Sequence, residues 1–208
     1  MSKQYVQFGC GRNGPKEWKN FDASPTLYFE RIPLIGRLYT KNATRFSKTV
    51  EYGNIISGLP IENKTCDVIY CSHVLEHLSL EDFRIALKNS CSYLKSGGTF
   101  RLVLPDLEFS INRYHNDKSS LASLVFLRET LLGREVSPQG IREFIVDYLG
   151  HSKHLWMWDY RSIKKELENA GFSNIRRCYY GDSKDKMIDM VEEKNRFENC
   201  LGVECKKN

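Results

Sequence analysis

A chain of 208 residues, 41% of them hydrophobic, suffices for one domain with a full core and needs no second. Its 31 basic and 26 acidic residues leave a net charge of +5 with no long run of like charges, a balance that admits an anionic substrate but speaks against a nucleic-acid surface. The N-terminus lacks the apolar core of a signal peptide, no apolar run is long enough to span a bilayer, and the seven cysteines show no CxxC spacing. We therefore expect a cytoplasmic protein with no membrane insertion and with free, mostly buried thiols.

Tyr5–Phe8 reads as a short strand, and Gly9-Cys10-Gly11-Arg12-Asn13-Gly14 follows as a turn whose glycines let the backbone approach a ligand. Gly9, Gly11 and Gly14 match the spacing of a dinucleotide fingerprint. That fingerprint also needs a helix opening at the loop and an acidic residue about 20 positions further on. Here Pro15 follows at once, and Asp22, ending a strand-like run from Trp18, stands only eleven residues beyond Gly11. No full crossover helix fits in that gap. NAD therefore suits the site less well than a cofactor with a ribose but no pyrophosphate. S-adenosylmethionine (SAM) is such a cofactor, because one carboxylate can accept from both its ribose hydroxyls. The bland reading is a plain loop with Asp22 as a turn residue.

Pro25 and Pro33 bracket an aromatic and aliphatic segment, Thr26 to Leu38, that suits a short helix over the cofactor. Val50–Asn54 reads as a third strand. Asn54 suits either an adenine edge, since its amide both donates and accepts, or a turn. From Cys66 the pattern changes period: Val68, Ile69 and Tyr70 form a buried strand, whereas Val74, Leu75 and Leu78 recur at helical spacing. The chain must turn between Cys71 and His73. This delivers Ser72, His73, Glu76 and His77 to the carboxyl edge of a sheet, where open α/β folds bind ligands.

Ser79 with Asp82 opens a further helix in the manner of a capping box, with Phe83, Leu87, Cys91 and Leu94 on one face and Lys95-Ser96-Gly97-Gly98 as its end. Thr99–Leu104 is the next strand, stopping at Pro105-Asp106. Strand, turn, helix and strand in this order make an α/β repeat with a parallel sheet. The long connection from Glu108 to Asp159 carries two helical patterns, Leu121 to Leu131 and Ile141 to Leu149, that suit a cap. Tyr114, His151, His154, Trp156, Trp158 and Tyr160 bring rings to it, as a carbohydrate site or as the cap's own core.

Several stretches in order resemble a known family. They are Gln7–Gly11, Trp18–Asp22, Leu59-Pro60 before Cys66–Ile69, His73–His77, Leu94–Gly98 and Pro105–Glu108. His154–Asp159, Leu167–Phe172 and Leu201–Lys206 complete the set. Together they are similar to class I SAM-dependent methyltransferases, closest to the methyltransferase type 11 group, whose members often modify polysaccharides or other small molecules. The resemblance implies a Rossmann-like α/β fold: a seven-stranded, mostly parallel sheet with an antiparallel last strand, Leu201–Lys206 beside Ile175–Tyr180. Helices lie on both faces, and the helical cap enters between strands 5 and 6. It implies that Phe8, Gly9, Cys10 and Gly11 approach the cofactor's methionyl part with Ser72 and His73, that Asp22 holds the ribose, and that Asn54 and Ile55 flank the adenine. S-adenosylhomocysteine (SAH) is the implied product. Gln7 departs from the family, standing where many relatives carry an acid.

A sugar hydroxyl needs its proton removed, and a general base contributes roughly 10²- to 10⁴-fold. His73 is the first candidate and Asp106 the second, as base or as a carboxylate orienting an imidazole. The alternative is that His73 only packs or caps. Tyr114, His154, Trp156 and Trp158 are the candidate acceptor residues. His73-x-x-Glu76-His77 also matches the motif of inverted zinc peptidases, but those residues belong on one continuous helix. It further resembles the E-x-x-E-H metal site of some O-methyltransferases, with His73 favouring a softer ion; our expectation is no metal. The expected activity is SAM-dependent O-methylation of a sugar in a glycan or its precursor. Other small molecules, RNA, and a non-catalytic SAM-binding module are the alternatives.

Overall fold

The computed structural model describes residues 3–32, 45–136 and 153–208. Seven strands form one sheet: β1 Tyr5–Phe8, β2 Lys19–Asp22, β3 Val50–Tyr52, β4 Cys66–Ser72, β5 Leu94–Pro105, β6 Phe172–Cys178 and β7 Cys200–Lys207. Their order is β3-β2-β1-β4-β5-β7-β6. β1 to β5 run parallel, with Val6 opposite Ile69 and Ile69 opposite Phe100, and β7 runs antiparallel to both β5 and β6. The expected sheet is therefore present. Its topology places the ends of β1, β2, β3, β4 and β5 along one edge.

Side-chain alternation divides the sheet into two faces. Val6, Ile69, Cys71, Leu102 and Leu104 face the larger core, which α2 (Leu80–Tyr93) and α5 (Tyr160–Asn169) complete with Phe83, Leu87, Ile163 and Leu167. Burying each of these side chains contributes about 1.5 to 3 kcal/mol. The opposite side chains, Tyr5, Val68, Tyr70 and Val103, meet Trp18, Ile188 and Val191. Helices α1 (Pro25–Arg31), α3 (Leu107–Asn116) and α4 (Ala122–Glu129) complete the set among the described residues, with 3₁₀ turns at Leu75–His77, Lys186–Met190 and Lys194–Phe197.

The β1–β2 connection carries no helix, as its length requires. The second face is instead covered there by the chain between β6 and β7. Trp18 Nε1 donates to the Met187 carbonyl at 3.1 Å, and Arg101 ties the same segment down from β5. The Arg101 guanidinium is fully buried and bonds Glu192 at 2.6 Å, Asp182 at 2.8 Å, Glu204 at 3.0 Å and the Tyr179 carbonyl at 2.7 Å.

Some local expectations change. The α2 helix ends at Tyr93, before the glycines; Cys66 pairs with Leu94 and Val68 with Thr99, so Lys95–Gly98 bulge out inside β5. Asp106 caps a helix, α3, that the apolar pattern after it does not announce, because none of its residues is buried. β6 starts at Phe172 and ends at Cys178, earlier than the expected strand. The expected helix from Thr26 is α1, its continuation to Leu38 falling outside the described residues; the cap pattern at Ile141–Leu149 and His151 falls outside them too. All seven cysteines are free, and no helix among the described residues is long and apolar enough to cross a membrane.

Candidate functional site

Phe8, Gly9, Cys10 and Ser72 line one cleft at the carboxyl ends of β1 and β4, together with Gln7, Asn13 and Tyr70. Gly9 and Gly11 take left-handed conformations (φ +63° and +55°), and a Cβ on Gly9 would run into a methyl group of Val74. Only glycine lets the chain leave β1 in that direction. The Asp22 carboxylate accepts from Gly11 N at 2.9 Å and from Ser24 N at 2.8 Å, so it fixes the turn and the entry to α1 at once. Gln7 is buried and donates to the Asn13 carbonyl and to Asn20 Oδ1 at 2.8 and 2.7 Å, a neutral brace at the end of β1. Burial, with the Asp22 charge, pushes the Cys10 thiol up to about 12, so it stays a neutral S–H.

Two features of the cleft escaped the sequence. Tyr70 and Ser72 each bury a hydroxyl with no hydrogen-bond partner. Opposite them the chain between β6 and β7 contributes Val191, Glu193 and Arg196, some 120 residues from β4 in sequence. Nothing local marks those residues; only the absent β1–β2 helix signals that some other segment must fill the space.

Asn54 accepts from Ile56 N at 2.8 Å through Oδ1 and bridges to Gly58, which is the turn role. Ile55 is 5% exposed and belongs to the core.

His73 has a left-handed backbone (φ +54°), at the strand-to-helix turn that the change of period predicts. Its Nε2 lies 3.0 Å from the Arg196 carbonyl and its Nδ1 3.3 Å from Glu76 Oε1. A carbonyl only accepts, so Nε2 carries a hydrogen, and the carboxylate beside Nδ1 favours the protonated ring. Burial opposes that charge, but bonds to Cys200, Glu76 and the Arg196 carbonyl outweigh it and push His73 up to about 10. This geometry corrects the expectation of a general base, because an imidazolium has no lone pair to take a proton. Asp106 is also committed: Oδ1 caps α3 through Glu108 N and Phe109 N, and Oδ2 lies 3.4 Å from Arg177.

Trp158 is another correction. It is 3% exposed and stacks on Phe83 with ring centroids 4.3 Å apart, which makes it core rather than acceptor surface. Trp156 and Tyr114 remain open, at 41% and 48% exposure. His154 is buried near Glu76, and burial holds it below the usual imidazole range.

Residues 7–177 match the family model described as "Methyltransferase domain". No curated protein matches the sequence. Among solved structures, a SAM-dependent methyltransferase from Archaeoglobus fulgidus aligns at 16% identity with a TM-score of 0.51, covering 100% of this chain and 87% of that one. The YcgJ protein from Bacillus subtilis aligns at 13% identity and TM-score 0.50, covering 100% and 92%. PigF, solved with SAH, aligns at 15% and 0.53, covering 99% of this chain and 50% of that one.

Proposed function

The chain belongs to the methyltransferase domain family, and from that premise we propose that it transfers the methyl group of SAM to a hydroxyl of a sugar, in a glycan or glycan precursor, leaving SAH. The observation that carries the cofactor part is the cleft between β1 and β4, where two buried hydroxyls lack partners and where Glu193 and Arg196 present opposite charges. A methionyl group is a zwitterion. Arg196 suits its carboxylate, Glu193 its ammonium, and the Ser72 and Tyr70 hydroxyls its remaining donors and acceptors. The Gly9–Gly11 backbone approaches the same ligand, and Asp22 uses its free lone pairs on the ribose. The turn that Asn54 closes, anchored by the buried Ile55, flanks the adenine.

The acceptor part rests on Trp156 and Tyr114. Half-exposed rings suit the apolar face of a sugar. Methyl transfer is an in-line displacement from a good leaving group, so much of the barrier falls to positioning the acceptor oxygen. With His73 cationic and Asp106 capping a helix, neither is assigned as base. We place the reaction in the cytoplasm, where seven thiols stay reduced.

Calorimetric titration with SAM, SAH and NAD tests the cofactor part. We expect one SAM and one SAH per chain and no heat from NAD; saturable NAD binding with none of SAM would replace this reading by an oxidoreductase.

A further inference from the structure

Beyond the cofactor cleft, Glu76 stands out. Its side chain is fully buried, and its carboxylate oxygens accept no hydrogen bond of good geometry, the contact from His73 Nδ1 to Oε1 being long at 3.3 Å. An orphaned buried carboxylate costs several kcal/mol unless a cation compensates it. His73 supplies a charge on one side, at 3.3 Å. On the other side His77 Nε2 and His154 Nε2 lie 3.9 and 4.0 Å from the same Oε1, and the three groups can offer ligand atoms within 4.8 Å of one another.

The tautomer of His77 is fixed by its surroundings. Nδ1 lies 2.9 Å from the Lys153 carbonyl, an acceptor, so Nδ1 carries the hydrogen and Nε2 is left as a lone pair in the neutral ring. A lone pair aimed at a carboxylate oxygen at 3.9 Å is too far for a hydrogen bond and unfavourable without a cation between them. An imidazole held by a backbone carbonyl at its other nitrogen is the usual arrangement of a metal ligand. His154 is brought in from the far side of the chain by two bonds to the Glu76 carbonyl, from Leu155 N at 2.8 Å and Trp156 N at 3.1 Å. The Glu76 carbonyl thus ties down the segment that carries His154, and the Lys153 carbonyl holds the His77 ring.

We propose that Glu76, His77 and His154 bind one divalent transition-metal ion of the zinc type. Two imidazoles and one carboxylate select such an ion over magnesium or calcium, and three protein ligands leave a position open. Tetrahedral bonds of about 2.1 Å would bring these ligand atoms to roughly 3.4 Å apart, so each side chain closes by about half an ångström. His73 stays outside the set as the counter-cation of Glu76. This differs from the triad that the His73-x-x-Glu76-His77 spacing suggests, because His154 is invisible to local spacing.

The role of the ion, though not its binding, rests on the methyl-transfer reading. Trp156, the half-exposed ring proposed for the acceptor, stands two residues beyond His154 in the chain. A hydroxyl oxygen held by the ion would lose its proton to water more readily. The alkoxide then forms the O–C bond as the C–S bond breaks, with the electron pair passing to sulfur and SAH leaving. The ion would in this way take the place of a general base.

The test is equilibrium dialysis of chelator-stripped protein against Zn²⁺, with Co²⁺ absorption as a second readout. We expect one ion per chain and an imidazole-bound cobalt spectrum. Affinity should fall by roughly 100-fold or more in His77→Gln and in His154→Gln, and stay within a few-fold in His73→Gln. Circular dichroism confirms that each variant is folded; should His154→Gln unfold, His77→Gln, at a partly exposed position, decides. No stoichiometric binding, or binding indifferent to the His77 and His154 changes, overturns the site. Stoichiometric zinc with no methyl transfer to any acceptor would leave the metal site standing and remove the methyl-transfer reading; full transfer in chelator with no bound zinc would do the reverse.

Discussion

The indole N–H of Trp18 donates to the carbonyl of Met187 at 3.1 Å, joining the start of β2 to a segment 169 residues away. That bond shows how the fold copes with a β1–β2 connection too short for a helix: the chain between β6 and β7 covers the exposed face of the sheet and adds Glu193 and Arg196 to the cleft. Stability and cofactor binding are thereby coupled, and acid should uncouple them. Asp182 and Asp185 hold this segment. For each, burial would raise the carboxyl, but Arg176 and Arg101 beside Asp182, and Lys3, Met187 N and Tyr5 beside Asp185, bring it below the usual carboxylate range. A lowered folded-state value means the stabilisation is complete above the unfolded value of about 3.9 and is lost as pH falls through the lower folded one. Hydrogen exchange should therefore show Met187 to Val191 opening below about pH 4, ahead of β4 and β5. Simultaneous opening of all three would mean that Asp182 and Asp185 do not set the stability of this segment.

Arg101 should be the costliest single residue to remove outside the cleft. Its guanidinium is fully buried, as is the Glu192 side chain it bonds at 2.6 Å. Arg101→Met leaves Glu192 as an unpaired buried charge and should cost about 3 to 5 kcal/mol in urea unfolding. Adding Glu192→Leu should recover part of the loss. A single-mutant effect below about 1 kcal/mol would mean that water reaches Glu192 freely.

At the cofactor, Asp22→Ala removes the acceptor of Gly11 N and Ser24 N together with the proposed ribose contact. SAM affinity should fall by about 1.5 to 3 kcal/mol, roughly 10- to 100-fold, by calorimetry. Unchanged affinity would take Asp22 out of the site.

For the acceptor, Trp156→Ala should raise KM for the sugar several-fold and leave SAM affinity unchanged, since the ring is exposed and stands apart from the residues lining the cleft. Trp158→Ala should behave differently, lowering stability by about 3 to 5 kcal/mol as a lost core aromatic. Steady-state kinetics beside thermal melts separate the two; equal effects would mean that neither ring meets the acceptor.

What the sequence made legible follows from where each signal is local. The period change at Cys71–His73 located the strand-to-helix turn, and Gly9 and Gly11 located the tight exit from β1, because each depends on neighbours in the chain. The sheet followed from the order of strand-like runs. Partners distant in sequence stayed hidden. The Arg196 carbonyl that holds His73 Nε2, the Arg177 that meets Asp106, and the His154 that joins Glu76 are brought in by tertiary packing, and they tie both expected bases to neighbouring groups. Trp156 and Trp158 show the same limit: two residues apart, one faces solvent and the other stacks on Phe83.

The most direct test of the methyl-transfer account is incorporation of labelled methyl from SAM into hydroxyl-bearing oligosaccharides, with small RNA and non-sugar hydroxyl compounds at equal concentration. The account predicts label in the sugar, stable to base as an ether is, with SAH formed in equal amount. Label confined to RNA or to the non-sugar compounds would contradict the sugar assignment, and SAM bound without label in any acceptor would contradict methyl transfer itself.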